Sequence, residues 1–331
     1  VLRMAKPLNI ALLGTKFMGK AHSNAWLTVD KFFSVPRSPV RHTIVGRDVA
    51  ALEDFADRWG WQQWTTDWKA AVTDDEIDLV DIGTSNDVHA EQSIAALEAG
   101  KHVACEKPLA RTLDESRQMV QAAKAAPGRT FVWYNYRRVP AVALAHQLVK
   151  EGRLGRIYHV RATYLQSWGG PDTPLLWRFQ SKVAGSGAHG DLMAHIIDMA
   201  RFVTGDEFTE VTGAIEERFI RNRPLVDNPK RTGRSSVDDA VLFIGRLKGG
   251  AVASFEASRL ATGVKNSNRI EIHGEKGAIR FNFERMNELE YFDASVEPRL
   301  QGWQTIQTMH DEHPYAADWW PDGHWLGYEH T

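Results

Sequence analysis

Between residues 8 and 134, short apolar runs alternate with stretches of helical spacing, and this alternation most narrows what the chain can fold into. The runs are Leu8 to Leu13, Val40 to Gly46, Ile77 to Ile82, His102 to Cys105 and Thr130 to Tyr134. Lys20 to Trp26, Ala50 to Trp59, Val88 to Ala99 and Thr112 to Ala125 lie between them as helices, with Gly100 as a C-cap. Strands joined through helices of this length run parallel, with helices on both faces. Such sheets bind ligands at the C-terminal ends of their strands. The turn from Gly14, Thr84-Ser85-Asn86, Glu106-Lys107-Pro108 and Asn135 all fall at those ends.

The pattern changes after about Arg137. Val139 to Lys150 has helical spacing, Ile157 to Gln166 alternates as a strand does, and Ala188 to Phe202 is helical again. Strands then accumulate without helices between them: Glu210 to Arg218, Ala240 to Leu247, Ala251 to Ser258, Arg269 to His273 and Ala278 to Phe283. Gly249-Gly250 and Glu275-Lys276-Gly277 read as turns of hairpins. Arg221 to Ser236, rich in Arg, Pro, Asn and Gly, reads as an exposed loop. The expected fold class is α/β, with an N-terminal parallel-sheet domain over residues 1–137. A second, α+β domain with a mostly antiparallel open sheet is expected over 138–331.

Gly14-Thr15-Lys16-Phe17-Met18-Gly19 joins the first strand to the first helix, the setting of a dinucleotide-binding (Rossmann) fingerprint. Backbone N–H groups and the helix N-terminus would there face a pyrophosphate. Lys16 replaces the middle glycine of G-x-G-x-x-G, the residue that lets backbone approach the phosphates closely. An ordinary βα turn has the same look, so the motif alone leaves both readings open. The second strand ends Val45-Gly46-Arg47-Asp48, and Gly46 stands where an NAD-specific site has its ribose-binding acid. Arg47 is suited to a 2′-phosphate through its planar fork, with Lys16 adding charge nearby. Asp48 is suited to the ribose; alternatively, Arg47 and Asp48 simply begin the next helix. The balance leans toward NADP being accepted at least as well as NAD.

Lys107 at a strand's C-terminal edge, and Asp191 and His195 at i and i+4, are the candidates for proton transfer. Histidine accepts a proton near neutral pH. A lysine holds a hydroxyl oxygen and stabilises negative charge developing on it. Asp191, a turn before His195, would orient substrate or tune the base. Each has a plainer alternative, a helix-surface pair for Asp191 and His195 and a solvated strand end for Glu106-Lys107. Trp177-Arg178 is either a surface pair or a contact to nicotinamide or sugar.

With 331 residues, 43% hydrophobic and 25% charged, the chain is long enough for two ordinary domains. A net charge of −2 without a basic block does not suggest nucleic acid. No apolar run spans a membrane and no signal peptide is recognisable, so the protein is read as cytoplasmic. Cys105, the only cysteine, reads as a buried thiol. Trp303 to His330 is rich in aromatic residues and histidine and reads either as a core-covering tail or as a sugar-stacking rim. His310 and His313 lack the further ligands a zinc site needs, so no metal is expected. The antiparallel sheet has an exposed face unless something covers it, which points to a homodimer or homotetramer.

These segments together resemble the glucose-fructose oxidoreductase/inositol dehydrogenase (Gfo/Idh/MocA) family over nearly the whole chain. The resemblance is carried by Gly14 to Gly19, Gly100 to Leu109, Tyr134 to Arg138 and Gly185 to Asp198. It implies an NAD(P)-dependent oxidoreductase acting on a CH–OH group of a sugar or polyol. Tyr164 to Trp168 and Trp177 to Gln180 further suggest a pyranose-type, levoglucosan-like substrate. Lys107 matches the family's catalytic lysine, and Asp191 and His195 match its partners. Cofactor contacts are expected from Gly14, Lys16, Phe17, Met18, Arg47, Asp48, Thr84, Asn86, His89, Glu106, Lys107, Asn135, Trp177 and Arg178. Substrate contacts are expected from Lys107, Tyr136, Gln166, Asp191 and His195. The family's Thr-Pro-Asn turn is Thr84-Ser85-Asn86 here. Relatives continue into further helices beyond a point such as Thr331, which reads as truncation or processing. A keto-sugar or carbonyl reductase running the same residues in reverse, and a nucleotide-sensing protein without turnover, are the competing functions. Intact Lys107, Asp191 and His195 speak against the latter.

Overall fold

The computed structural model describes residues 6–324. The chain divides into two compact units, residues 1–133 and 134–331.

The first unit is built on a parallel six-stranded sheet of order β3-β2-β1-β4-β5-β6. Its strands are β1 (Leu8–Leu13), β2 (Pro39–Val45), β3 (Gln63–Thr65), β4 (Leu79–Ile82), β5 (His102–Glu106) and β6 (Thr130–Trp133). The helices are α1 (Phe17–Phe32), α2 (Val49–Trp59), α3 (Trp68–Thr73), α4 (His89–Glu98) and α5 (Leu113–Ala125). Strand alternation feeds a core on each face. Ile10, Leu12 and Ile44 pack with Leu52 and Phe55 of α2, whereas Ala11, Leu13, Ile82 and Val103 pack with Leu97 of α4 and Met119 of α5. The order reverses at β1/β4, the place where doubly wound sheets open a crevice. Short β3 and α3 were not expected from the sequence, because three residues alternating beside a tryptophan-rich turn leave too little periodicity to read.

The second unit carries an eight-stranded sheet of order β16-β15-β14-β13-β7-β12-β11-β8. Its strands are β7 (Ile157–Leu165), β8 (Phe208–Glu217), β11 (Ala240–Leu247), β12 (Val252–Ser258), β13 (Ser267–Gly274), β14 (Gly277–Asn282), β15 (Glu288–Asp293) and β16 (Gln304–Gln307). All neighbours pair antiparallel except β12 with β7. One face packs on α6 (Pro140–Lys150) and α8 (Ala194–Thr204), with Val142, Ile196 and Met199 against Val160, Phe255 and Ile272. A short α7 (Ser181–Ala184) precedes α8. The other face leaves Ile215, Leu242, Ile244 and Val252 exposed, with Leu242 directly opposite Ile215.

Arg221 to Ser236 is mostly exposed, as its composition suggests, but it is not only a loop. It holds a small hairpin of β9 (Asn222–Pro224) and β10 (Thr232–Arg234). Arg223 is wholly buried, bound to the equally buried Asp239 at 2.9 Å, with its guanidinium 3.6 Å from the Phe179 ring. Composition did not show the burial of Arg223, because its charge is paired and stacked inside the unit.

In the tail, Trp303 takes the Arg280 guanidinium at 3.8 Å, and the Tyr315 hydroxyl accepts from Arg138 at 2.6 Å. Trp325, Tyr328 and His330 lie outside the described residues. Among the described residues, no helix is long and apolar enough to cross a membrane and no group of His, Cys, Asp and Glu is placed to hold a metal ion.

Candidate active-site residues

In the first unit, β1 and β4 meet at glycine turns. Gly14 has φ +114°, and a Cβ there would lie 2.6 Å from the Gly83 carbonyl oxygen. A Cβ on Gly19 would lie 2.2 Å from the Gly14 carbonyl oxygen, so helix and turn touch backbone to backbone. Lys16 is the N-cap of α1 at φ −83°, an extended conformation open to any residue. Its side chain takes none of the first helical N–H groups, and those groups have no intrahelical acceptor. The turn thus presents donors and a helix N-terminus without a side chain filling the cradle, which fits a dinucleotide pyrophosphate. Phe17 beside it is 75% exposed.

At the end of β2, Arg47 is exposed, whereas Asp48 caps α2 by accepting from the Ala51 N–H at 3.2 Å. A side chain at Gly46 would press on Leu52 and Thr15 at 3.0 and 3.2 Å. After β4, the Thr84 hydroxyl donates to Gln92, and Asn86 opens a single turn leading into α4. His89 is fully buried, with Nδ1 3.0 Å from the Pro108 carbonyl and Nε2 3.2 Å from that of Thr84. Burial lowers its pKa, so the ring is neutral and donates to one of these acceptors at a time.

Glu106 ends β5, buried, with one oxygen accepting the Lys107 N–H at 3.0 Å. Its other oxygen lies 3.1 Å from Nε2 of His22 on α1, whose Nδ1 lies 3.0 Å from both oxygens of Asp81 on β4. Sequence reading passed over His22 and Asp81. The available signal was an acid inside an otherwise apolar parallel strand, a position that tolerates charge only with partners. Cys105 is buried, and burial pushes its thiol up to about 12, so it is not a nucleophile near neutral pH.

In the second unit, Asn135 starts a short turn, Asn135–Arg138, that delivers Tyr136 into the core. His195, in the first turn of α8, is surrounded by aromatic edges. Its ring centroid is 4.8 Å from that of Tyr136, 5.8 Å from Tyr164 and 6.1 Å from Tyr134. The Tyr136 and Tyr164 hydroxyls are 2.6 Å apart, and Tyr164 donates to Asn266 at 2.8 Å. Gln166 donates to Asn266 at 2.7 Å and accepts the Trp168 indole N–H at 2.6 Å. Burial raises both phenol pKa values, so neither tyrosine is a base near neutral pH. His195 is buried at the centre of this cluster, and its Nδ1 has no accessible surface.

The segment His189–Met193 is a π-helical turn running into α8, so Asp191 and His195 straddle a π/α junction rather than lying on one regular α-helical face. Two residues from elsewhere in the chain hold this turn. Asp238 accepts the Gly187 and His189 N–H groups at 2.6 and 2.9 Å, and buried Arg259 donates to Asp191 at 2.9 Å. Asp198, further along the motif, accepts a two-pronged contact from Arg137. Arg178 lies 4.4 Å over the Trp177 ring, and its carbonyl accepts from Arg259 at 3.1 Å. Arg259 and Asn266 were not singled out from sequence, since nothing local marks them.

Comparison with known proteins shows the family. Residues 8–134 match the model of an oxidoreductase family with an NAD-binding Rossmann fold, and residues 142–280 match the GFO/IDH/MocA C-terminal domain. Levoglucosan dehydrogenase of Pseudarthrobacter phenanthrenivorans is 45% identical over 95% of this chain and 83% of its own length. A crystal structure of an oxidoreductase domain protein from Kribbella flavida superposes with a TM-score of 0.94 at 47% identity, covering 98% of this chain and 87% of that one. A levoglucosan dehydrogenase solved with NADH and levoglucosan gives 0.93 at 44% identity, with 98% and 86% covered.

Proposed function

The chain belongs to the GFO/IDH/MocA oxidoreductase family with an NAD-binding Rossmann domain, and from that membership we propose that it oxidises a pyranose-type sugar of the levoglucosan kind. The observation that carries this reading is the likeness, at 44% identity and a TM-score of 0.93, to the dehydrogenase solved with NADH and levoglucosan. When bound, the nicotinamide supplies a hydride acceptor for the carbinol carbon. The Gly14–Gly19 turn and the N-terminus of α1 hold the pyrophosphate. Thr84, Asn86 and His89 after β4, Glu106, Asn135 and the Trp177-Arg178 pair are proposed to line the rest of the dinucleotide. Lys107 holds the reacting hydroxyl oxygen and stabilises charge developing there. His195 takes the hydroxyl proton at Nε2. Asp191, fixed by Arg259, accepts a neighbouring sugar hydroxyl, while Tyr136 and Gln166 border the sugar.

The test is the change in absorbance at 340 nm with a panel of anhydrosugars, pyranoses and polyols, with NAD and with NADP. Levoglucosan or a close pyranose should head the panel, and no turnover with any member would overturn the reading. Arg47, exposed beside the capped start of α2, is proposed to admit NADP as well as NAD. If kcat/KM favours NAD more than tenfold and Arg47→Ala keeps that preference, Arg47 does not read the 2′ position. We further propose cytoplasmic residence, consistent with a lone buried thiol, and a homodimer or homotetramer joined through the open sheet face.

A further inference from the structure

Asp81 is fully buried in β4, where an ionised carboxylate persists only with donors around it. Three N–H groups supply them. Nδ1 of His22 lies 3.0 Å from each oxygen, and the indole N–H groups of Trp26 and Trp133 donate at 2.7 and 2.9 Å. The far nitrogen of the same imidazole faces a second buried acid, Glu106, at 3.1 Å. A neutral imidazole carries one N–H, so it would serve one carboxylate and turn a lone pair on the other. An imidazolium donates to both, and each contact then joins opposite charges away from water. Burial opposes that charge, but the field and hydrogen bonds of Asp81, and then those of Glu106, outweigh it and raise the His22 pKa to about 10.

The consequence reaches Lys107. Glu106 has one oxygen on His22 and the other on the Lys107 N–H, so both ends of its carboxylate are anchored. On the far side of the lysine, the Pro108 carbonyl lies 3.0 Å from His89. We propose that His22 is a positioning residue for Lys107: a buried imidazolium that bridges Asp81 and Glu106 and, through Glu106, sets the main chain from which the lysine projects. This rests on the reading of Lys107 as the group that acts on the sugar oxygen. If His22 merely neutralised Asp81 within the core, its loss would lower stability and leave the turnover of folded enzyme unchanged.

Two measurements decide it. In the first, His22→Gln and Glu106→Gln are made singly and together, and kcat, KM and NADH binding by fluorescence are compared. His22→Gln should lower kcat by about tenfold or more while NADH affinity stays within about threefold. The double variant should lose little more than the larger single loss, because residues acting in series do not add. Additive losses, or an unchanged kcat in folded His22→Gln, overturn the proposal. The second uses wild-type enzyme labelled with 15N-histidine, without sugar, at pH 8.5. One ring should carry two slowly exchanging N–H protons, and a set of rings that are all neutral overturns the proposal even where His22→Gln fails to fold. Because this second readout needs no turnover, a sugar panel that fails overturns the proposed function and leaves the state of the imidazole to be judged separately.

Discussion

Lys107, His195 and His22 carry different loads, and each makes its own prediction. On its proposed role as the donor to the reacting oxygen, Lys107→Ala should cut kcat by about 10²-fold or more, while NADH still binds measurably. Turnover within about threefold of wild type would remove the lysine from its role. His195→Ala should lower kcat and flatten the acidic limb of the pH–rate profile; a pure KM effect would make it a sugar contact only. His22 predicts a stability effect. Its folded pKa of about 10 stands above the ordinary 6.5, so the folded state binds this proton more tightly than the unfolded state. That stabilisation is fully present below 6.5 and is lost as pH rises through about 10, when Asp81 and Glu106 lose the charge between them. The melting temperature should therefore fall between pH 7 and 10, and a flat profile over that range contradicts a buried imidazolium. The place of Lys107 was legible in the sequence because it directly follows a strand of a parallel sheet. His22 was not, because a histidine in a helix looks the same whether it meets water or two acids.

The elements show where local pattern suffices and where it fails. The Gly14–Gly19 turn was readable because its backbone demands are local: Gly14 needs positive φ, Gly19 must touch it, and Lys16 needs neither. The β9–β10 hairpin was not, because its polar composition hides a pairing with Asp239, 16 residues ahead of Arg223. Arg223→Ala should destabilise the second unit by about 3–5 kcal/mol, since it leaves Asp239 charged and buried. Urea denaturation followed by fluorescence measures this, and a loss under about 1 kcal/mol would show that Asp239 finds other partners. The helix carrying His195 was expected, but its π-helical start was not. Nothing in Asp191-Leu192-Met193-Ala194 announces that the turn widens; the anchors on Asp238 and Arg259 do that from other elements.

For the whole molecule the open question is the uncovered side of the eight-stranded sheet. Ile215 is 62% exposed and Ile244 53%, on adjacent strands, amid Leu242 and Val252. Isolated exposed apolar residues need no explanation, but a contiguous stripe on a paired sheet face does. The proposed oligomer would bury it against a second copy. Ile215→Glu with Ile244→Glu should convert an oligomer into a monomer by light scattering at micromolar concentration, leaving NADH binding intact. A wild-type protein that is monomeric there removes the proposal.

By itself the sequence determined the fold class, the strand ends at which sheets of this kind bind ligands, and Lys107, Asp191 and His195 as candidates. Periodicity, glycine turns and caps are properties of neighbouring residues, so they are written locally and can be read locally. Tertiary structure alone decided which buried charges meet. His22 finds Asp81 across 59 residues and Glu106 across 84, and Asp191 finds Arg259 across 68. A buried charge needs an opposite charge or a donor within hydrogen-bond reach, and the chain supplies that partner from whichever strand the sheet order brings alongside. Spacing along the chain holds no record of that choice, because strand order is settled by the packing of the whole sheet.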